Sequence, residues 1–441
     1  MECDRISALP DHLVAKIVSY LGIKDSIKTS VLSKRWEFVW LKVVGLDLKN
    51  CNFPPNGIAS QMVVNKYMEF NRGLHMQYFK VNFGGNTVYT NRFLEWIATA
   101  VDRGVQHLDV GSTNLIFIKE FMPKNIYKSK TLVSLKLTNV GIMKHQELVV
   151  SLPCLKIMHL NNVYYDDGPS KITEKLLLGC PVLEEFTMVR VPNFDNEESH
   201  SVLRVRSQTL KIFCLTFYWG MYSTVFSVEI DAPRLKYMSF RDDLSAGIVV
   251  KNLSSLVKID LDTDFNVNVD TSPLEPVDLS KRDIIRDFLT GISGVRHMII
   301  SNDTLEVLYH YSKMVLQIPT FHNLSHLEAS FFSTSLQLLT AFLESCPNLK
   351  SLILEPVPGQ IDLTSVPRCL TSTLEYVKIK NLNIREETGI NLANYFLENS
   401  AVLKKLTLSF KDCPIPDKAS DIIMELLTST KLSHICQVIV D

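Results

Sequence analysis

The chain carries no surplus of charge of either sign. Its 46 basic and 47 acidic residues give a formal net charge of -1 at pH 7, so no overall field draws it onto nucleic acid or an anionic membrane. Long apolar runs are missing as well. None approaches the ~18 residues that a membrane span requires, and the start, MECDRISALPDHL, has neither the basic nor the apolar segment of a secretory signal. An intracellular location, nucleus and/or cytoplasm, is therefore expected. The nine cysteines are odd in number and the closest two lie 23 residues apart, which removes any CxxC half-site for zinc or dithiol exchange. Reduced core thiols are expected instead. The glycosylation sequons at Asn252, Asn302 and Asn323 need a secretory route that this start does not supply.

Motifs of chemistry are absent too. The sequence has no GxSxG, HExxH or GxGxxG, and no GxxxxGK followed by Ser or Thr. His322 and His326 are four apart, but HNLSH has no glutamate beside its first histidine, so zinc is not expected there. No cysteine has a neighbouring histidine, as a catalytic thiolate would favour. The expectation is no catalytic residue, no metal and no cofactor.

What is present is apolar surface: 46% of residues are hydrophobic and 21% charged, ample for a large core. In LPDHLVAKIVSYLGIKDSIKTSVLSKRWEFVW, Pro10 fits a first helical turn, Leu13, Val14, Ile17, Val18 and Leu21 follow at helical spacing, and Gly22 is placed to end the helix. Those five side chains cover an arc of about 140°, wider than a coiled-coil seam. Asp25 can cap a second short helix with Ile27, Val31 and Leu32, and Ser33 a third with Trp36, Phe38, Val39, Trp40 and Leu41. Units below roughly 40 residues need metal, disulfide or a partner. The surplus is covered either by the rest of the chain or by another polypeptide.

Leu9, Pro10, Leu13, Ile17, Leu21, Asp25, Leu32, Ser33, Trp36 and Trp40 stand where the F-box places its motif residues, and the segment resembles that module. Gly22 stands where plant members often have proline. The resemblance implies that a Skp-type adaptor, and through it a cullin-RING ubiquitin ligase, completes the apolar surface. Adaptor-binding residues are then Leu9, Pro10, Leu13, Ile17, Leu21, Val31, Leu32 and Trp36. Burying four or five such side chains gives roughly 6–15 kcal/mol gross, much of it offset by association entropy.

From Val105 to Leu408 a pattern of apolar-x-x-apolar-x-apolar recurs twelve times, from Val105/Leu108/Val110 to Leu403/Leu406/Leu408. The spacing lies mostly within the 20–29 residues of leucine-rich repeats. A strand alternates its faces, so the last two apolar positions point inward and their flanking residues outward. Helix-like stretches such as KITEKLLLGCPVLEEF and LQLLTAFLESCPNLKSL lie between. The fold class is α/β: a short all-helical F-box followed by a leucine-rich-repeat solenoid, a horseshoe of alternating strands and helices. The region before the array, with Trp96, Ile97 and Val101 as core on a helix, resembles the link between F-box and repeats in plant F-box/leucine-rich-repeat proteins. Near the other end, Cys369, Leu370, Leu374, Tyr395, Leu397, Asn399, Val402 and Leu403 match the FBD domain of one plant branch. The expected division is 1–50 F-box, 51–104 link, 105–360 repeats and 361–441 FBD-like repeats.

A strand-lined face suits binding, and the resemblance implies the role of substrate-recognition subunit of an SCF-type ubiquitin ligase, with no catalytic group of its own. Outward positions expected to meet the target protein are His159, Tyr237, Arg241, Asp260, Asp262, His326, Glu328, Tyr376 and Lys378, with Lys380 beside them. Tyr237 and Tyr376 are the expected anchors. The acidic stretch from Asp260 to Asp278 and the aromatic run around Trp219 are further contacts or ordinary loop. A small-molecule receptor and an adaptor-bound scaffold without ligase activity stay open as alternatives.

Overall fold

The structure, a computed structural model, describes residues 6, 8–49, 58–70, 75–84, 90–113, 118–143, 146, 148–165, 169–190, 201–217, 226–242, 245–269, 281–312, 318–359, 361, 363–382, 387–411 and 431–440. The chain divides into two compact units, one of residues 1–198 with 206–210 and one of 199–205 with 211–441. Trp219, Asp270, Glu275 and Asp278 lie outside the described residues.

The first unit begins with helices α1 (Asp11–Val18) and α2 (Ile23–Lys28) and a 3-10 turn over Val39–Lys42. Its main sheet takes strands β1 (Gly45–Asp47), β2 (Tyr78–Phe83), β3 (His107–Ser112), β5 (Ser134–Thr138), β7 (Ile157–Asn161) and β9 (Glu185–Arg190) in that order. All pair in parallel, and register stacks Phe79, Leu108, Leu135, Met158 and Phe186 in one rung and Val81, Val110, Leu137, Leu160 and Met188 in the next. All ten are buried. Helix α3 (Ile58–Phe70), helix α4 (Thr90–Asp102) and helix α5 (Pro169–Leu178) also belong to this unit. Trp96, Ile97 and Val101 of α4 are buried as expected.

The second unit's main sheet takes β11 (Ile212–Phe217), β13 (Tyr237–Arg241), β15 (Lys258–Asp262), β16 (His297–Ile300), β17 (His326–Phe331), β18 (Ser351–Pro356), β19 (Tyr376–Leu382), β20 (Lys405–Phe410) and β21 (Gln437–Val440). Crossovers carry helices α6 (Arg282–Gly291), α7 (Asn302–Ser312), α8 (Leu339–Glu344), α9 (Arg368–Ser372) and α10 (Glu387–Asn399). Again the buried residues form rungs, with Met238, Ile259, Met298, Leu327, Leu352, Val377 and Leu406 in one.

Hydroxyls in the turn ahead of the strand tie four of the turns to the preceding one. Thr131 donates to the Val105 carbonyl (3.1 Å), Thr209 to Leu183 (2.8 Å), Thr373 to Leu349 (2.8 Å) and Ser433 to Leu403 (2.6 Å). These bonds satisfy backbone oxygens that the turn would otherwise leave without partners.

Three expectations change. Strands begin before Val105, since β1 and β2 bring Val43/Leu46/Leu48 and Met76/Phe79/Val81 into the same pattern. Several crossovers are strands rather than helices: β4 (Ile118–Phe121), β6 (Val140–Ile142) and β8 (Tyr164–Tyr165) form one small sheet, and β10 (Ser201–Arg206), β12 (Phe226–Asp231) and β14 (Ser245–Asn252) another. Their β-branched runs, such as GIVV and VEI, favour extended chain over a helical turn. At the amino end Pro10 is the cap residue before α1, Gly22 opens α2 instead of closing α1, and Asp25 sits inside α2. The third helix contracts to the 3-10 turn, so Ser33 caps nothing there.

The described cysteines carry free thiols, with Cys154 exposed and Cys180, Cys346, Cys369 and Cys436 buried. Burial pushes the Cys180 and Cys369 thiols up to about 12. Alkylation at pH 8 with peptide mapping should label Cys154 and spare Cys180, Cys346 and Cys369 until the chain is unfolded. Leu352→Ala, on a fully buried rung position, should cost about 2–5 kcal/mol in urea unfolding, against less than about 0.5 kcal/mol for an exposed change such as Tyr376→Ser.

Candidate functional site

Two short helices cannot enclose every side chain they carry. Helix α1 turns Val14, Ala15 and Val18 inward, where they join Ile23, Val39, Trp40 and Leu41. Leu13 and Ile17, at i and i+4 on the adjoining stripe of α1, and Leu21 just beyond its end stay 39%, 44% and 44% exposed. Beyond α2, Val31 and Leu32 are 85% and 65% exposed. Pro10 is exposed and Leu9 half-buried. Trp36 is different. At 8% exposure it belongs to the core beneath this surface, a correction to its place among surface contacts: its large ring is what the small unit uses to fill its own interior.

Polar contacts hold the geometry. The Asp11 carboxylate accepts from Lys42 Nζ (2.7 Å) and Arg35 Nη2 (3.2 Å), and Arg35 also donates to the Leu9 carbonyl. Hydrogen bonds from Lys42 and then Arg35 hold the Asp11 carboxyl below its usual range. Within the core, the buried Ser26 hydroxyl donates to the Val18 carbonyl at 3.1 Å, tying α2 to the end of α1. Gly22, between them, has φ -59°, the value proline would fix. The exchange of proline for glycine therefore keeps the geometry.

A cavity of about 290 Å³ lies between these helices and the first strands, lined by Tyr20, Leu21, Ile23, Gly45, Tyr78 and Lys80 among others. It is at the lower limit of small-molecule sites.

The expected target contacts fall into ordered rows. Tyr237, His326 and Tyr376 share one register with Lys258, His297 and Ser351. Two residues on, Asp260, Glu328 and Lys378 share another. In the first unit, His159 donates from Nε2 to Glu185 Oε1 at 2.6 Å. Asp260 is buried, accepting from Arg241 Nη2 (2.8 Å) and Ser239 Oγ (3.3 Å). It supports Arg241 rather than presenting a surface carboxylate, a correction to its expected role. Asp262 and Lys378 are half-buried, and Glu328 pairs with Lys380 across the intervening strand. Burial, then the charge of Asp260, pushes the Tyr237 phenol above its usual range. Tyr376 is the large exposed aromatic of its row.

Lys258 and His297 escaped the sequence reading although they occupy the same strand-start position as Tyr237 and His326. The repeat spacing itself was the signal.

The F-box domain model matches residues 6–45, the LRR repeats of an FBD-associated F-box protein match 93–260, and the FBD model matches 361–408. Three F-box/FBD/LRR-repeat proteins of Arabidopsis thaliana are 61%, 54% and 50% identical, each over 99–100% of both chains. The chain belongs to this family. The F-box/FBD/LRR-repeat assignment covers both the apolar helices and the repeats. No helix among the described residues is long and apolar enough to cross a membrane.

Leu13→Asp/Ile17→Asp, on the exposed stripe, should leave the thermal unfolding midpoint within a few degrees of wild type. Val18→Asp, fully buried, should lower it sharply, a loss of several kcal/mol. Gly22→Ala meets no atom within 4 Å and should change stability by less than about 0.5 kcal/mol in denaturant unfolding, because the gain through the unfolded state is offset by alanine's poorer fit at the N-cap of α2.

Proposed function

We propose that this chain is the substrate-recognition subunit of an SCF-type ubiquitin ligase, acting inside the cell in the nucleus and/or cytoplasm. One observation carries the reading: Leu13, Ile17, Leu21, Val31 and Leu32 remain exposed although the F-box shares a compact unit with the first repeats. A large apolar surface left open on a soluble chain marks a protein interface. Leu9 and Pro10 border it, and a Skp-type adaptor is its occupant.

The mechanism is tethering. With the adaptor on the F-box and a target protein on the outward rows of the repeats, target lysines are held near a ubiquitin-conjugating enzyme on the cullin. Effective concentration and orientation then accelerate transfer without a catalytic group in this chain. Contacts to the target run through His159, Tyr237, Arg241, Asp262, His326, Glu328, Tyr376 and Lys378. Residues 1–50, 51–104, 105–360 and 361–441 serve as F-box, link, repeats and FBD-like end.

Affinity capture with a Skp-type adaptor, comparing wild type with Leu13→Asp/Ile17→Asp, tests the proposal. The double variant should lose the adaptor by more than about tenfold while its circular dichroism is unchanged, since two buried apolar side chains become charged at the interface. Equal capture of both proteins overturns it.

A further inference from the structure

Charge on the second unit's sheet is sorted along the strands. Just ahead of the strands, backbone bonds from Val257 to Lys236, Arg296 to Val257, Ser325 to Arg296 and Lys350 to Ser325 (2.9–3.0 Å) align positions 236, 257, 296, 325 and 350. The next position aligns Tyr237, Lys258, His297, His326 and Ser351. Across these five adjacent strands the two rows hold Lys236, Lys258, Arg296, Lys350 and two histidines, and no acid. The His297 and His326 rings stack at 4.4 Å.

Neighbouring strands are about 4.8 Å apart, and like charges side by side are unfavourable. Two residues further along, Asp260 and Glu328 are already engaged by Arg241 and Lys380. Among the described residues, Lys236, Lys258 and Arg296 form no ion pair with an acid, and Lys350 lies beside Glu375 of the next strand, which is itself paired with Lys404. Burial, then His326, Lys258 and Arg296, hold the His297 imidazole below its usual range. Within the fold these cations are offset by the Tyr237 ring under Lys258 and by the neutral side chains of Val257 and Ser325 between them, not by a salt bridge to an acid.

We infer that this band binds an extended, anionic segment of the target protein, rich in carboxylates or phosphates, an inference that rests on the reading of the repeats as the target-binding part. Four strand spacings make about 19 Å, the length of about six extended residues. The band is two residues wide, which fits one strand of peptide. A nucleic acid duplex, much wider, would set its phosphates against Asp262 and Glu328 in the adjoining rows. Tyr237, with Lys258 over its ring at 5.5 Å, supplies an aromatic contact at one end.

The test uses the purified full chain and fluorescence anisotropy with five labelled probes: a short glutamate-rich peptide, its glutamine counterpart, a phosphoserine peptide of equal charge, a single-stranded DNA oligonucleotide and its duplex. At least one anionic peptide should bind about tenfold or more tightly than the glutamine peptide, with affinity falling as salt rises; the tighter of the two names the source of the charge. Lys258→Glu/Arg296→Glu should weaken that binding about tenfold or more, whereas Arg286→Glu on α6 should not. Lys258→Gln/Arg296→Gln should be no less stable than wild type and should also bind weakly, which separates lost charge from lost fold. Equal binding of anionic and glutamine peptides, indifference to Lys258→Glu/Arg296→Glu, or tighter binding of either DNA than of both peptides overturns the inference. Adaptor capture is read separately, so a chain that keeps the adaptor and ignores the peptides rejects this inference alone.

Discussion

Parallel strands joined by crossovers must stack their apolar positions rung upon rung, because a slip of one residue would turn every buried side chain to the open face. In this chain that constraint is met by pairs such as Leu352 against Leu327 and Val377, buried from both neighbours. The outward positions inherit the same register. Tyr237, Lys258, His297 and His326 are therefore arrayed at strand spacing as a by-product of core packing. A binding face built this way is changed one residue at a time with little cost to the fold, since interior and exterior alternate along each strand.

The helical amino end obeys the opposite rule. With few residues and no repeat to stack on its outer side, it satisfies one face of α1 and leaves the other open. Trp36 and Trp40 fill most of what interior there is, and Asp11 clamps α1 to the segment from Arg35 to Lys42. Exposed ion pairs of this kind are individually weak. Their use here is geometric, fixing how the stripe of Leu13, Ile17 and Leu21 is presented.

Much of this was readable from residue spacing. The apolar triplets from Val105 to Leu408 located twelve strands, and the helical spacing of Leu13, Val14, Ile17 and Val18 located α1. Position within an element was harder. Spacing says that Asp260 alternates with Ile259 and Leu261, but not that Ser239 and Arg241 close over it. Trp36 was misplaced for a related reason: a turn has no periodicity, so the direction of its side chains is set by tertiary contact. The triplet at Met76 lies 29 residues before Val105, inside the repeat spacing, and was legible by the same rule, whereas that at Val43 lies 33 residues earlier and falls outside it. The crossover strands went unread for two reasons: β4, β6 and β8, of two to four residues, are below the length at which alternation can be recognised, and β10, β12 and β14, of six to eight, fall between the apolar triplets that were followed.

At the amino end the first unit joins the F-box to its sheet by direct strand pairing. The F-box core residues Trp40, Leu41 and Val43 run directly into β1, which pairs with β2 from Gly45 to Asp47. Gln77 donates its backbone N–H to Val44 at 2.7 Å and Leu48 to Lys80 at 2.8 Å, and the buried Tyr67 hydroxyl donates to Val43 at 2.8 Å. Gly45 permits the approach: a Cβ there would stand 2.5 Å from the Tyr78 carbonyl oxygen. The last turn of the F-box is thus the first rung of the sheet. Moving one against the other would break strand pairing and expose Leu46 and Phe79, both fully buried, so the exposed apolar stripe and the first strands move as a single body.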